Sequence, residues 1–380
     1  MLPATKSDRP SLADVFPSCF GAVAASSNTL GLAPVDSAIV VLVDGLGAVP
    51  LAERAGHART LSERLSKAST MSAGFPTTTA SSLATLTTGT APGEHGLVGY
   101  SVLDSDNDRV VNQLTGWDAD LDPATWQRSP TMFERASEFD ASAFVVAPEK
   151  FRSSGFTRAV LRGADYRSGA SIEDRFDEAL AISAAVERSV VYLYIAELDA
   201  VGHARGSASD AWIATLERID AAVRDADSRL GRQTGMLVTA DHGVIDTPEH
   251  AHILFDESSE LVDAIRWVAG EPRCLQLHFD PEASDAERER TIAAWREHES
   301  ARSWVLTRDE AVAAGWFGAR VDPEVLPRIG DLIVAARKNV AYYDSRPQNQ
   351  SARGMIGQHG SLSRDETAIP LLRFGAFAAA

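Results

Sequence analysis

The sequence predicts an α/β protein: a three-layer α/β/α sandwich around a mainly parallel central sheet, with a smaller α+β cap inserted towards the C-terminal end. Three observations predict it. Nearly continuous apolar runs recur, as in strands covered on both faces. Stretches with apolar residues at three-and-four spacing lie between them, and this alternation indicates layered α/β architecture. Finally, each run is followed within a few residues by an aspartate, and the carboxyl edge of an open α/β sheet is where ligands bind.

The first strand is read at 38–43 (AIVVLV) and leads into Asp44-Gly45. A loop rich in hydroxyls, 74–89, follows; Pro76 and its Thr and Ser residues suit a loop running into a helix. Helix-like spacing at 172–186 leads to the second strand, 190–196 (VVYLYIA), with Asp199 just beyond it. Another helix pattern at 210–230 leads to the third strand, 236–239 (MLVT), and then to Asp241-His242-Gly243. After about residue 255 the texture changes to a strand at 274–279, an acidic-then-basic helix at 284–298 and a strand at 331–336. The core resumes near Gly354, with Gly-Gln-His-Gly-Ser at 357–361 and an apolar run at 369–372. The expected division is a catalytic core of residues 1–255 and 352–380, with 256–351 as the cap.

With 380 residues the chain has room for a sizeable core, and at 44% hydrophobic and 23% charged it has the composition of a folded globular protein. No apolar run approaches the roughly eighteen residues of a membrane span. Lys6 and Arg9 ahead of the apolar stretch at 15–25 resemble a secretion signal, but Asp8, Asp14, Pro17 and Gly21 interrupt it. Two cysteines, Cys19 and Cys274, make no disulfide framework, so the expectation is a reducing cytoplasm, with export left open. A net charge of −17 repels polyanions, which argues against long nucleic acid. A small phosphate ester remains compatible, because bound divalent cations reverse the potential inside a pocket.

The strongest local signal is Asp199-x-x-x-His203, whose spacing on a helical turn sets a carboxylate and an imidazole on one side. Alone it competes evenly with a solvated Asp and a surface His. Asp241-His242 is a second such pair, with Gly243 permitting a tight turn; an ordinary strand-ending turn is the competing reading. His359, between Gly357 and Gly360, adds a third imidazole. With Asp44 and Thr79 the set reaches three Asp, three His and one hydroxyl, enough for two metal sites with open positions. A free Thr hydroxyl is a poor nucleophile near neutral pH, and a metal that stabilises the alkoxide supplies its activation. Without metals, the hydroxyls around Thr79 would simply cap the helix. His250 and His252 are read as turn residues rather than ligands, His95 as a buried structural imidazole, and Tyr342-Tyr343 as interior or rim packing.

Val43-Asp44-Gly45, the Pro76-Thr77-Thr78-Thr79 loop ending in Thr87-Thr88-Gly89, Pro92-Gly93-Glu94-His95-Gly96, Asp199-x-x-Gly202-His203, Asp241-His242-Gly243 and Gly357-x-His359-Gly360 together resemble the type I phosphodiesterase/nucleotide pyrophosphatase branch of the alkaline phosphatase superfamily. The motifs keep that family's order across residues 44–360. The resemblance implies one zinc on Asp199, His203 and His359, a second on Asp44, Asp241, His242 and the Thr79 oxygen, and double displacement through a phosphothreonine. Zinc suits mixed imidazole and carboxylate donors, and manganese or iron would fit the same set.

Two departures bear on the substrate. The family's Phe-Pro-Asn-His after the nucleophile is replaced by Ala80-Ser81-Ser82-Leu83, and Tyr100 stands where relatives carry an Asn that binds a non-bridging phosphate oxygen. The Tyr100 hydroxyl is a candidate replacement donor. The expected partner is a small phosphorylated substrate, nucleotides included. The same core also serves phosphomonoesterases, phosphonate hydrolases and phosphomutases, and a non-catalytic phospholigand-binding protein is the alternative of another class.

Overall fold

The computed structural model of the chain describes residues 10–348 and 350–378, so Lys6, Asp8 and Arg9 lie outside the described residues. In chain order the strands of its two larger sheets are β1 (Ser37–Val43), β2 (Thr70–Ser72), β3 (Ser142–Ala147), β4 (Asp165–Ser168), β5 (Ser189–Ile195), β6 (Thr234–Thr239), β7 (Ile265–Glu271), β8 (Cys274–Phe279), β9 (Ser303–Thr307), β10 (Leu332–Ala336) and β11 (Ala368–Gly375). The central sheet has the order β2-β11-β6-β1-β5-β3-β4. From β6 to β4 neighbours run parallel, and β11 alone runs against the others, antiparallel to both β2 and β6. Every residue of β1 and β6 is buried, so helices and loops cover both faces, as the apolar runs predict.

Strands begin a residue or two before the apolar runs that announce them. Ser37, Ser189 and Thr234 open β1, β5 and β6. Ser37 and Ser189 satisfy one another through a 2.9 Å hydroxyl hydrogen bond, so polar residues enter the buried sheet without an unpaired group, a pairing that hydrophobicity alone does not reveal.

The helices that matter for the site are α1 (Val15–Val23), α2 (Thr79–Thr88), α3 (Ile172–Ala185), α4 (Glu197–Arg205), α5 (Asp210–Arg229) and α6 (Asp285–Glu299). The N-terminal stretch resembling a signal is the folded helix α1: Val15, Phe16 and Phe20 are buried in the main core, and Phe16 meets Phe133 and Tyr192 edge-on. Pro17 falls in its first turn, where a missing N–H leaves no carbonyl unpaired. Ser side chains at 171, 209 and 284 accept the first free amides of α3, α5 and α6, each cap contributing about 1 kcal/mol. No helix among the described residues is long and apolar enough to cross a membrane.

Strands β7 to β10 form a separate antiparallel sheet in the order β7-β8-β10-β9. Helix α6 packs against it through Trp295, beside Leu275, Val334 and Tyr342. A different cluster on this sheet joins Cys274 and Ile333 to Phe75, Val98, Val102 and Val111, so the loop before α2 and the chain after it share a core with the second sheet. Between β7 and β8 stands Arg273, 0% exposed, which donates to both Glu366 carboxylate oxygens at 2.7 and 2.8 Å. Glu366 in turn accepts the amide of Ser361, and its backbone carbonyl accepts the amide of Gly243. Through that pair the second sheet is fastened to the segments that carry His359 and His242.

Candidate active site

Asp44 is the first residue past β1, Asp241 the second past β6, and Asp199 lies in the first turn of α4 after β5. Since β6, β1 and β5 are adjacent and parallel, their carboxyl ends lie side by side. Gly45, at φ +73°, turns the chain here, and a Cβ on it would stand 2.9 Å from Asp199 Oδ1. Only glycine lets the Asp44 turn and α4 approach so closely.

Gly243 behaves differently from its reading as a tight turn. Its φ is not left-handed; what requires glycine is space, because a Cβ there would lie 1.9 Å from the Asp365 carbonyl oxygen.

Asp199, His203 and His359 form one group of potential ligands, and Asp44, Asp241 and His242 a second; within each, one donor atom per residue lies within 4.8 Å of the others. Donors about 2 Å from a common centre span no more than this. The groups are contiguous, since the His242 and His359 rings stack at 3.6 Å between centroids. Thr79, the first residue of α2, points its Oγ1 at His242 Nε2 from 3.2 Å.

The hydrogen bonds around these groups leave the inward atoms free. His203 Nδ1 donates to the Gly357 carbonyl at 2.7 Å and His359 Nδ1 to the Thr77 carbonyl at 2.8 Å. A carbonyl only accepts, so in each neutral ring Nε2 carries the lone pair, and the two Nε2 atoms face each other across 3.3 Å. Asp44 takes the Tyr194 hydroxyl on Oδ2, and Asp241 takes the Gly45 and His242 amides on Oδ1. Asp44 Oδ1, Asp241 Oδ2 and Asp199 Oδ1 are buried with no hydrogen-bond partner. Converging lone pairs and orphaned carboxylate oxygens in a dry site are the arrangement that cations complete.

The electrostatics agree. Burial, then the charges of Asp241 and Asp199, push the Asp44 carboxyl well above the usual range. Burial works in the same direction on Asp199, but the His203, His359 and His242 imidazoles outweigh it and hold its carboxyl low. At His203 burial is overridden by the Asp199 carboxylate 3.2 Å away, which raises the imidazole to about 8. His359 is driven well below its ordinary value by burial and by the neighbouring imidazoles. Among the described residues no Lys or Arg pairs with Asp44, Asp199 or Asp241, so positive charge must come from elsewhere.

Helix capping does not account for the hydroxyl cluster. Thr78 is the N-cap of α2, but its side chain caps nothing; Thr77 Oγ1 donates instead to the Ser361 carbonyl at 2.7 Å. Beside Thr79 opens a cavity of about 760 Å³, lined among others by Tyr100, Trp117, Phe151, Tyr194 and Glu271.

The sequence of the chain matches the profile of the type I phosphodiesterase/nucleotide pyrophosphatase family over residues 38–362. The chain belongs to that family. It is therefore a phosphoric ester hydrolase, and the family is metal-dependent. Curated protein sequences yield no match. Among solved structures, this family member is similar to human ectonucleotide pyrophosphatase/phosphodiesterase 5, with 15% identity, TM-score 0.64, and 89% of this chain covering 87% of that one. An inactive murine counterpart in complex with AMP gives 15%, 0.64, 89% and 88%. Phosphonoacetate hydrolase from Sinorhizobium meliloti, in complex with phosphonoacetate, gives 17%, 0.67, 90% and 91%. At such identities the likeness establishes the shared fold.

Other residues weighed in the sequence of this phosphodiesterase-family chain fall as follows. His95 is buried, with its Nε2 3.0 Å from Thr85 Oγ1. His252 packs on Tyr343, and neither it nor His250 joins a ligand group among the described residues. Tyr342 and Tyr343 are interior. Tyr100 reaches the cavity and is 37% exposed. Nothing local in the sequence marks Tyr194 or Glu271, both of which line the cavity. The first sits inside an apolar strand run, and the second has no motif around it, so neither carries a local signal.

Proposed function

We propose that the chain hydrolyses small phosphodiester or pyrophosphate substrates, nucleotides among them, through a phosphothreonine on Thr79. The observation that carries this reading is the Thr79 hydroxyl on the N-terminal turn of α2, 3.2 Å from His242 of the second of two contiguous clusters of potential ligand atoms. Asp199, His203 and His359 would hold one divalent cation, and Asp44, Asp241 and His242, with the Thr79 oxygen, another; zinc best suits the donors. When bound, the ions lower the pKa of the threonine hydroxyl and offset charge on the phosphoryl oxygens.

The chain's own residues do the rest. Thr79 Oγ gives its proton to solvent and bonds to phosphorus while the bond from phosphorus to the leaving oxygen breaks, that oxygen taking a proton from solvent; water then cleaves the new Oγ–P bond, its hydroxyl staying on phosphorus and its proton restoring the threonine hydroxyl. Free amides at the start of α2 face the phosphoryl group, where the helix dipole favours negative charge. His203 and His359 are held in one orientation by their carbonyl partners, so the site needs little rearrangement when substrate arrives. Cys19 and Cys274, both buried free thiols, support a reducing cytoplasm as the location.

The test is Thr79→Ala, with metal content checked by elemental analysis. Turnover of an aryl phosphodiester should fall at least about a thousandfold, the scale on which loss of a nucleophile acts; undiminished turnover would exclude the assignment. Phosphonate hydrolysis is the second reading. It is favoured by Lys150, the one Lys or Arg lining the cavity among the described residues, where a second anionic group of a substrate would be received, and by the likeness to phosphonoacetate hydrolase. Comparing rates on phosphonoacetate and on the aryl diester separates the two.

A further inference from the structure

Thr77, two residues before Thr79, makes four hydrogen bonds to three consecutive residues that lie 282 to 284 positions further along the chain. Its hydroxyl accepts the Gly360 amide at 3.0 Å and donates to the Ser361 carbonyl at 2.7 Å. Its carbonyl accepts the His359 Nδ1–H at 2.8 Å, and its amide donates to the Gly360 carbonyl at 3.3 Å. Thr77 is 0% exposed, so solvent does not compete for these bonds.

The two segments joined here carry different groups. One holds Thr79, with only Thr78 between it and Thr77, and the Thr78 amide is itself bonded back to the Pro76 carbonyl at 3.0 Å. On the other side of Thr77, Phe75 packs against Trp316 and Phe317, with ring centroids 4.7 and 5.4 Å away. The second segment holds His359 and is fixed from behind: the Ser361 amide donates to Glu366 Oε1 at 2.9 Å, and the Ser361 hydroxyl donates to the carbonyl of Ala336, the last residue of β10, at 2.6 Å. Each segment therefore has its own anchor, and Thr77 joins one to the other. A hydroxyl donates and accepts at once, which no apolar side chain of the same size can do. Without it the Gly360 amide and the Ser361 carbonyl would be stranded in dry surroundings, and the two segments would no longer fix each other's position.

We propose that Thr77 is a positioning residue that locks the Thr79 loop to the His359 loop, so that the attacking oxygen and the cation held by Asp199, His203 and His359 keep one fixed separation. Filling that cation site therefore also orders the loop before α2, although Thr79 itself belongs with the other ligand cluster. This rests on the reading of Thr79 as the group that meets phosphorus. The partner on the second nitrogen of a ligating imidazole governs metal affinity, and misplacing a reacting atom by about 1 Å costs about a hundredfold in rate. One side chain controls both quantities.

The experiment uses the full-length chain and its Thr77→Val and Thr77→Ser variants. Zinc affinity is measured by competition with a chromophoric chelator, and kcat and KM for bis(4-nitrophenyl) phosphate are measured at saturating zinc. Thr77→Val should weaken one of the two zinc sites about ten- to a hundredfold and leave the other within about threefold of wild type. At saturating zinc its kcat should fall about a hundredfold, with KM almost unchanged. Thr77→Ser keeps the hydroxyl and should recover both quantities to within about threefold of wild type. Wild-type zinc affinity or an undiminished kcat in Thr77→Val, or a Thr77→Ser as impaired as Thr77→Val, would overturn the proposal. Hydrogen exchange on the wild type supplies a test that needs no variant: stripping the zinc should speed exchange in 75–79 and 357–361 together, and acceleration confined to 357–361 would equally overturn it. Full turnover by Thr79→Ala would instead overturn the reading beneath it, and would leave the zinc and exchange results as they stand.

Discussion

Asp44 divides its two oxygens between different partners: Oδ2 accepts the Tyr194 hydroxyl at 2.5 Å, and Oδ1 is left facing the ligand cluster. Tyr194→Phe keeps the ring and frees the carboxylate to rotate. Removing a hydrogen bond that orients a ligand typically weakens metal binding about ten- to a hundredfold, measurable by competition with a chromophoric chelator. Unchanged affinity would show that Asp44 needs no such support. At this scale legibility was uneven. Asp44, Asp199 and Asp241 stood out because each follows an apolar run, and His203 because of its spacing from Asp199. Tyr194 and Glu271 were invisible, since burial, orphaned atoms and hydrogen-bond partners are properties of the fold and leave no mark on neighbouring residues.

Elements place these residues through close approach as much as through periodicity. The turn after β6 passes the segment before β11 so closely that a methyl on Gly243 would overlap the Asp365 carbonyl, 1.9 Å away, while the Gly243 amide donates to the Glu366 carbonyl. Gly243→Ala must push the two apart and drag His242 with it. Overpacking of this kind costs about 3 kcal/mol, and thermal unfolding should show a clear drop in Tm together with loss of bound metal. A stable, fully loaded variant would mean the turn can yield. The strands β1, β5, β6, β8 and β10 and the helices α3, α5 and α6 were readable to within a residue or two, because buried strands and amphipathic helices write their periods into sequence, whereas β2, β3, β4, β7 and β9 were not read. The packing of 75–111 on the second sheet was not readable: Phe75 and Val102 say only that they are buried, not against what.

The whole molecule carries a net charge of −17, and its proposed substrates are anions. Far from the site the field repels them, and salt weakens that repulsion, with a screening length of about 8 Å at physiological ionic strength. kcat/KM for a charged diester should therefore rise by about two- to threefold between about 0.01 and 0.15 M sodium chloride. A fall would show that the potential at the cavity mouth, not the overall charge, governs encounter.

The Arg273–Glu366 pair has a mechanical consequence. Prising the second sheet away would strand a guanidinium and a carboxylate in dry surroundings, at about 3 to 5 kcal/mol. The crevice accordingly behaves as a jaw with a riveted joint. Molecules must pass an aperture of set width, and selection falls on their girth before any chemistry begins.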